Sequence, residues 1–182
     1  MRELNRIKKT LSISILILFV LSLTAVAVSA AVSDAEKTEI LNAHNQYRAE
    51  VGVSPLVWDD QLAASAQQWA DQMNAANKFE HDPNNNLYGE NLHQGDGTWT
   101  GKISTEMYSW GAEKKCFKNG YFPDIYNGQC DTISYCNKDW TCSGHYSQMI
   151  WGATQRIGCA RSGNYWVCRY DPPGNMRGQK AY

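Results

Sequence analysis

Leu62, Ala66, Trp69, Ala70 and Met73 follow one another at steps that place apolar side chains on one face of a helix. Asp59 or Asp60 stands just before them as the N-cap, offering an oxygen to the exposed amides of the first turn. An earlier helix is predicted to start at Ser33, where Ser33 and Glu36 form a capping box. It carries Ile40, Leu41, Tyr47 and Val51 at near-helical spacing until Gly52 and Pro55 end it. A third helix is predicted over Lys102 to Lys115, with Ile103, Met107 and Trp110 on its inner face. From Phe79 to Thr100 the periodicity gives way to Asn, Gly, Asp and Pro, which reads as loop with one short strand near Leu92. Phe117 to Ser143 is irregular again. A short helical segment over Tyr146 to Trp151 precedes two β-prone runs, Arg156 to Arg161 and Tyr165 to Tyr170, joined by Ser162-Gly163-Asn164. They predict a hairpin in which Cys159 faces Cys168. Trp58, Trp69, Trp110 and Trp151 are expected in the core, where large rings contribute most to burial.

The first thirty residues follow a different pattern. Arg2, Arg6, Lys8 and Lys9 precede an apolar run from Leu11 to Val28, and Val28-Ser29-Ala30 supplies a small-residue exit. This layout predicts a secretory signal peptide over residues 1–30, cleaved after Ala30. The competing reading is an uncleaved membrane anchor. Residues 31–182 are then one domain, 152 residues being too few for two ordinary cores. Four of the 17 basic and one of the 18 acidic side chains lie in the leader, so the mature domain carries a formal charge of −4. An acidic domain without a Lys/Arg block excludes nucleic acid as a partner.

All six cysteines, Cys116, Cys130, Cys136, Cys142, Cys159 and Cys168, lie in the C-terminal part of the chain. An even count behind an export signal predicts disulfides and an oxidising, extracellular location. A thiolate zinc site is excluded by the lack of any Cys-x-x-Cys spacing. Cross-linking would also let a loop as long as Phe117 to Ser143 remain ordered.

Four strings appear in order: His44-Asn45-Gln46-Tyr47-Arg48, Gly89-Glu90-Asn91-Leu92, Gly144-His145-Tyr146-Ser147-Gln148-Met149-Ile150-Trp151, and Tyr165-Trp166-Val167-Cys168-Arg169-Tyr170-Asp171-Pro172-Pro173-Gly174-Asn175. Together they resemble the signatures of the CAP superfamily, the cysteine-rich secretory proteins, antigen five and plant pathogenesis-related proteins of class one. The plant branch is the most similar, through Ala49-Glu50-Val51-Gly52-Val53 and Pro55-Leu56-Val57-Trp58-Asp59-Asp60. Three departures stand out. Trp166 and Arg169 replace residues that are more often a smaller apolar group and Asn. Asn77 sits where plant relatives have the early cysteine of a long bridge to the hairpin. Cys116 and Cys130 stand in its place and are expected to form an additional local bridge.

The resemblance implies an α+β fold, a three-layer α-β-α sandwich with a small, largely antiparallel central sheet, stapled by disulfides. It implies Cys136 with Cys142 and Cys159 with Cys168; Cys116 with Cys130 is the pair that remains. It also implies a cleft lined by His81, Glu90, Glu113 and His145, side chains that suit Zn²⁺ or another divalent cation. The same four residues can equally pair with one another and hold no metal. His44, at helical spacing from Arg48, is expected to order the first helix, and His93 to be exposed.

Three functional classes follow. The first is a secreted, non-enzymatic binding module for a lipid, sterol or fatty acid, with candidate lining from the aromatic-rich loop Phe117 to Tyr126. The second is a metal-dependent hydrolase in which His145 or His81 holds a metal-bound water and Glu90 or Glu113 is the general base. Against it, the sequence has no Gly-x-Ser-x-Gly elbow and no His-Glu-x-x-His helix. The third is a defence protein acting on an extracellular protein or cell-surface partner, which is compatible with the first. No stable membrane span is expected after signal cleavage.

Overall fold

The computed structural model describes residues 32–95, 110–130 and 136–182. The predicted leader, and the part of the predicted third helix that holds Lys102, Ile103 and Met107, lie outside the described residues.

Helix α1 spans Asp34–Glu50 and opens on the expected capping box: the Ser33 hydroxyl accepts from Glu36 N at 3.3 Å, and the Glu36 carboxylate accepts from Ser33 N at 2.8 Å. Strand β1, Val57–Trp58, leads directly into helix α2, Asp60–Ala76. Asp59 rather than Asp60 caps α2, its carboxylate accepting from Gln61 N at 2.8 Å and Leu62 N at 3.0 Å. The five residues of the predicted stripe are the buried residues of α2. The helix ends at Asn77, whose φ of 49° is the left-handed conformation that Asn tolerates better than most residues.

Strand β2, Gly89–Gln94, occupies the segment expected to be loop with a short strand. Trp110–Cys116 is a 3-10 helix, and a second short 3-10 turn spans Trp140–Cys142. Helix α3, Gly144–Met149, precedes the predicted hairpin of β3, Arg156–Ser162, and β4, Tyr165–Asp171. Gly163, at φ 54°, supplies the positive angle that a two-residue hairpin loop needs.

The sheet order is β1-β3-β4-β2, with β1 parallel to β3 and the other two pairings antiparallel. One face carries Leu92, Ala160, Tyr165 and Val167 against Ala66, Trp69, Ala70 and Met73 of α2. The other carries Ile157, Cys159, Trp166, Cys168 and Tyr170 in a core with Ile40, Trp110 and Met149. This is the three-layer α-β-α sandwich. Gly158 lets α2 lie against β3: a Cβ there would come within 2.2 Å of Ala63 N and 2.5 Å of Asp59 O.

The disulfides are Cys116–Cys130, Cys136–Cys142 and Cys159–Cys168. Trp69, Trp110 and Trp151 are buried, whereas Trp58 is half-buried because its indole N–H reaches out to Asp60 at 2.9 Å. No helix among the described residues is long and apolar enough to cross a membrane.

Candidate functional site

The 3-10 helix places Glu113 against the start of α3. Ser143, the N-cap of α3, turns its hydroxyl to Ile125 O and makes no side-chain cap bond. Glu113 supplies that bond from another element. Its Oε2 accepts from His145 N at 2.9 Å and Tyr146 N at 3.0 Å, and its Oε1 accepts from His145 Nδ1 at 2.7 Å. The carboxylate is 0 % exposed and lies where a negative charge is favoured, at orphan N–H groups of a helix start. The Trp110 ring stacks on His145 with centroids 5.8 Å apart, and its indole N–H donates to Leu92 O at 3.1 Å.

Asn91 connects this pair to the sheet, its Nδ2 donating to His145 O at 3.1 Å and to the Tyr170 hydroxyl at 3.2 Å. The chain of contacts continues into α1. His44 Nδ1 lies 2.8 Å from Ile40 O, which can only accept, so Nδ1 carries the proton and Nε2 accepts from the Tyr170 hydroxyl at 2.9 Å. Burial holds the His44 imidazole down to a pKa of about 4 and pushes the Tyr170 phenol above its usual range. His44 thus ties α1 to β4.

The second pair is built on β2. His81 Nδ1 hydrogen-bonds Glu90 Oε1, to which Asp82 N also donates at 3.2 Å. Arg169, opposite Glu90 across the β2–β4 ladder, reaches Glu90 Oε2 with Nη1 at 2.5 Å and Asp82 Oδ2 with Nη2 at 2.7 Å. Strand alternation puts Glu90 and Arg169 on the face of Leu92 and Val167, which packs on α2. Asn91, the next residue, turns to His145 on the other face. The four predicted residues therefore form two pairs, His81 with Glu90 and Glu113 with His145, that approach β2 from its two sides. Among the described residues no three His, Cys, Asp or Glu side chains converge to hold a metal ion.

Both histidines point Nδ1 at a carboxylate, which makes Nε2 the ring atom able to face a metal; second-shell carboxylates orient metal-bound imidazoles in this way. The Glu113–His145 pair fits that arrangement. The His81–Glu90 corner does not, because a guanidinium already occupies the two carboxylates a divalent ion would need. Asp82, His93 and Arg169 are absent from the predicted set. His93, expected to be exposed, is half-buried, and its pKa is lowered by burial and by the nearby His145. Its position two residues after Asn91 on one strand was the available signal.

The aromatic loop divides into two parts. Phe117 and Phe122 pack against Tyr146, Ile150, Trp151 and Ala181, while Tyr121 stands 63 % exposed; outside the loop, Trp140 is 41 % exposed and meets Phe122 edge-on with ring centroids 5.3 Å apart.

A disulfide-stapled sandwich with an imidazole–carboxylate pair at the start of α3 and another on β2 defines the class of protein, and the comparisons give its family. The profile described as "CAP: Cysteine-rich secretory protein family" matches residues 41–170, and the chain belongs to that family. It is 42 % identical over 150 residues to "Pathogenesis-related protein 1A" of Nicotiana tabacum, covering 79 % of each chain. It is 34 % identical over 173 residues to "Pathogenesis-related protein 1" of Arabidopsis thaliana, covering 92 % of this chain and 95 % of that one. Among solved structures, "Crystal structure of NaASP2 with Zn2+" superposes with a TM-score of 0.63 at 21 % identity, over 84 % of this chain and 87 % of that one, a likeness of fold.

Proposed function

We propose that this protein is exported and acts in defence by binding, as a carrier of a lipid, sterol or fatty acid or at an extracellular surface, without turning over a substrate. Three disulfides suit an oxidising compartment, and the similar tobacco and Arabidopsis proteins carry the pathogenesis-related name. The observation that carries the reading is the commitment of Glu113. A general base must reach the proton it removes. This carboxylate is sealed from solvent and accepts three N–H groups of α3 and its histidine. Glu90 is likewise held by His81, Asp82 N and Arg169. Both glutamates act as orienting groups, which favours binding over the hydrolase reading.

A divalent ion such as the Zn²⁺ of the NaASP2 structure would be held by His145 with Glu113 behind it. For a lipid ligand, the exposed rings of Tyr121 and Trp140 are the points of first contact, since amphipathic aromatics suit a surface with one apolar and one wet side. Retention of radiolabelled sterol and fatty acid by the wild type and by Tyr121→Ala/Trp140→Ala tests the carrier reading. The wild type is expected to retain one of the two lipid classes and the double variant to retain less. Retention of neither by the wild type would reject it.

A further inference from the structure

We propose that the surface built by the loop Phe117 to Tyr126, the Trp140 turn and the segment Met176 to Tyr182 docks reversibly on a bilayer that carries anionic phospholipid. Backbone and ring contacts join the three pieces. Phe122 N donates to Gln179 O and Gly178 N to Phe122 O, each at 2.8 Å, and Asn119 Nδ2 donates to Tyr182 O at 2.6 Å. The Phe122 ring meets Trp140 edge-on, and Lys180 Nζ lies over the Tyr121 ring, 5.1 Å from its centroid. Four of the seven exposed large apolar or aromatic side chains among the described residues, Tyr121, Trp140, Met176 and Tyr182, belong to this surface. The other three, Val57, Phe79 and Leu87, lie on β1, just after α2 and in the loop before β2.

Charge selects the occupant. Among the described residues, the exposed cations that pair with no carboxylate are Lys115, Lys138, Arg177 and Lys180, while Lys78, Lys114, Lys118 and Arg156 are held by Glu80, Glu50, Asp124 and Asp59. Each of the four unpaired cations adjoins the surface: Lys115 precedes the loop, Lys138 precedes Trp140, Arg177 follows Met176, and Lys180 lies on Tyr121. Asp139, an acid beside Trp140, turns its carboxylate inward to Thr141 N at 2.9 Å. In a chain of net negative charge, the unpaired positive charge is thus gathered around the exposed rings. Tyr and Trp favour a bilayer interface because each has an apolar body and a polar tip, and neighbouring Lys and Arg are drawn to anionic headgroups. A protein partner fits less well, since protein interfaces deplete lysine, which here stands among the rings. The inference rests on the lipid reading of the function and adds the anionic headgroup to it.

The test is co-sedimentation of the mature protein with vesicles of phosphatidylcholine alone and of phosphatidylcholine mixed in equal parts with phosphatidylglycerol, at about 0.05 M and about 0.5 M salt. The wild type is expected to bind the mixed vesicles at least about tenfold more tightly than the neutral ones, and to lose that preference at the higher salt. Lys138→Glu/Lys180→Glu should bind the mixed vesicles at least about tenfold more weakly than Lys37→Glu/Lys78→Glu, which changes the net charge equally but outside this surface. Tyr121→Ala/Trp140→Ala should bind more weakly than the wild type and keep the salt dependence. Equal wild-type binding to both kinds of vesicle, or equal losses in the two charge-reversed variants, would overturn the proposal. Binding to a soluble polyuronate and to neither vesicle would also overturn it, making the surface a site for acidic polysaccharide. The carrier reading fails separately: sedimentation with the mixed vesicles without retention of sterol or fatty acid supports docking and rejects carriage, whereas retention without sedimentation overturns docking alone.

Discussion

The Tyr165 hydroxyl in the hairpin donates a 3.1 Å hydrogen bond to Asn77 Oδ1 at the end of α2. Asn77 stands where the resemblance to plant relatives implies the early cysteine of a bridge to this hairpin, so a hydrogen bond joins the two segments here. Phe79 reinforces it, its ring stacked on Tyr165 with centroids 6.3 Å apart. Tyr165→Phe should lower the unfolding free energy by about 1 kcal/mol in urea titration. Asn77→Ala should lower it further, because a left-handed Ala adds strain of about 1 kcal/mol.

Arg48 is a second internal tie. Its guanidinium, fully buried, donates to Ser54 O, Met149 O, Trp151 O and Thr154 O, at 2.7, 3.0, 2.9 and 2.9 Å. These carbonyls belong to the turn after α1, the last residue of α3 and the segment joining α3 to β3, so one side chain fixes where the hairpin departs. Arg48→Met should destabilise by at least about 3 kcal/mol, read as a fall in denaturation midpoint with an unchanged denaturant slope. Arg48→Lys should recover only part of the loss, since an ammonium cannot reproduce the fork.

Acid should act through His44. Burial depresses its pKa from the ordinary 6.5 to about 4, so the folded state holds the ring neutral while the unfolded chain binds a proton. The stabilisation is complete above about pH 6.5 and is lost as pH falls toward 4. The full shift corresponds to roughly 3 kcal/mol. Urea unfolding at the two ends of that window should show the wild type losing more stability than His44→Gln. Equal losses would exclude His44 as the cause.

Much of the fold was legible wherever a rule acts over a few neighbouring residues. The α2 stripe, the Ser33–Glu36 box and the Cys159–Cys168 hairpin each follow from spacing alone. Strand β1 has only two residues, too few for any periodicity, and its parallel pairing with β3 rests on contacts across about a hundred positions. The spacing predicts that Trp110 to Lys115 closes an α-helix, yet Trp110–Cys116 winds as a 3-10 helix. His81, Glu90, Glu113 and His145 came from the family resemblance, because no local pattern links a loop, a strand and two helices. The sequence could mark Arg169 as a departure, but only the β2–β4 register reveals Glu90 as its partner.

Glu113 accepts from His145 and from the first amides of α3, and on the proposed reading it orients the imidazole and caps the helix rather than serving as a base. The most direct measurement is turnover of a panel of peptide and ester substrates, with and without Zn²⁺, by the wild type and Glu113→Gln. No turnover above background is expected in either protein. The Glu113→Gln unfolding free energy should be lower by about 2 kcal/mol, from the loss of charge-assisted hydrogen bonds. Wild-type turnover abolished by Glu113→Gln at unchanged stability would make Glu113 a catalytic base instead.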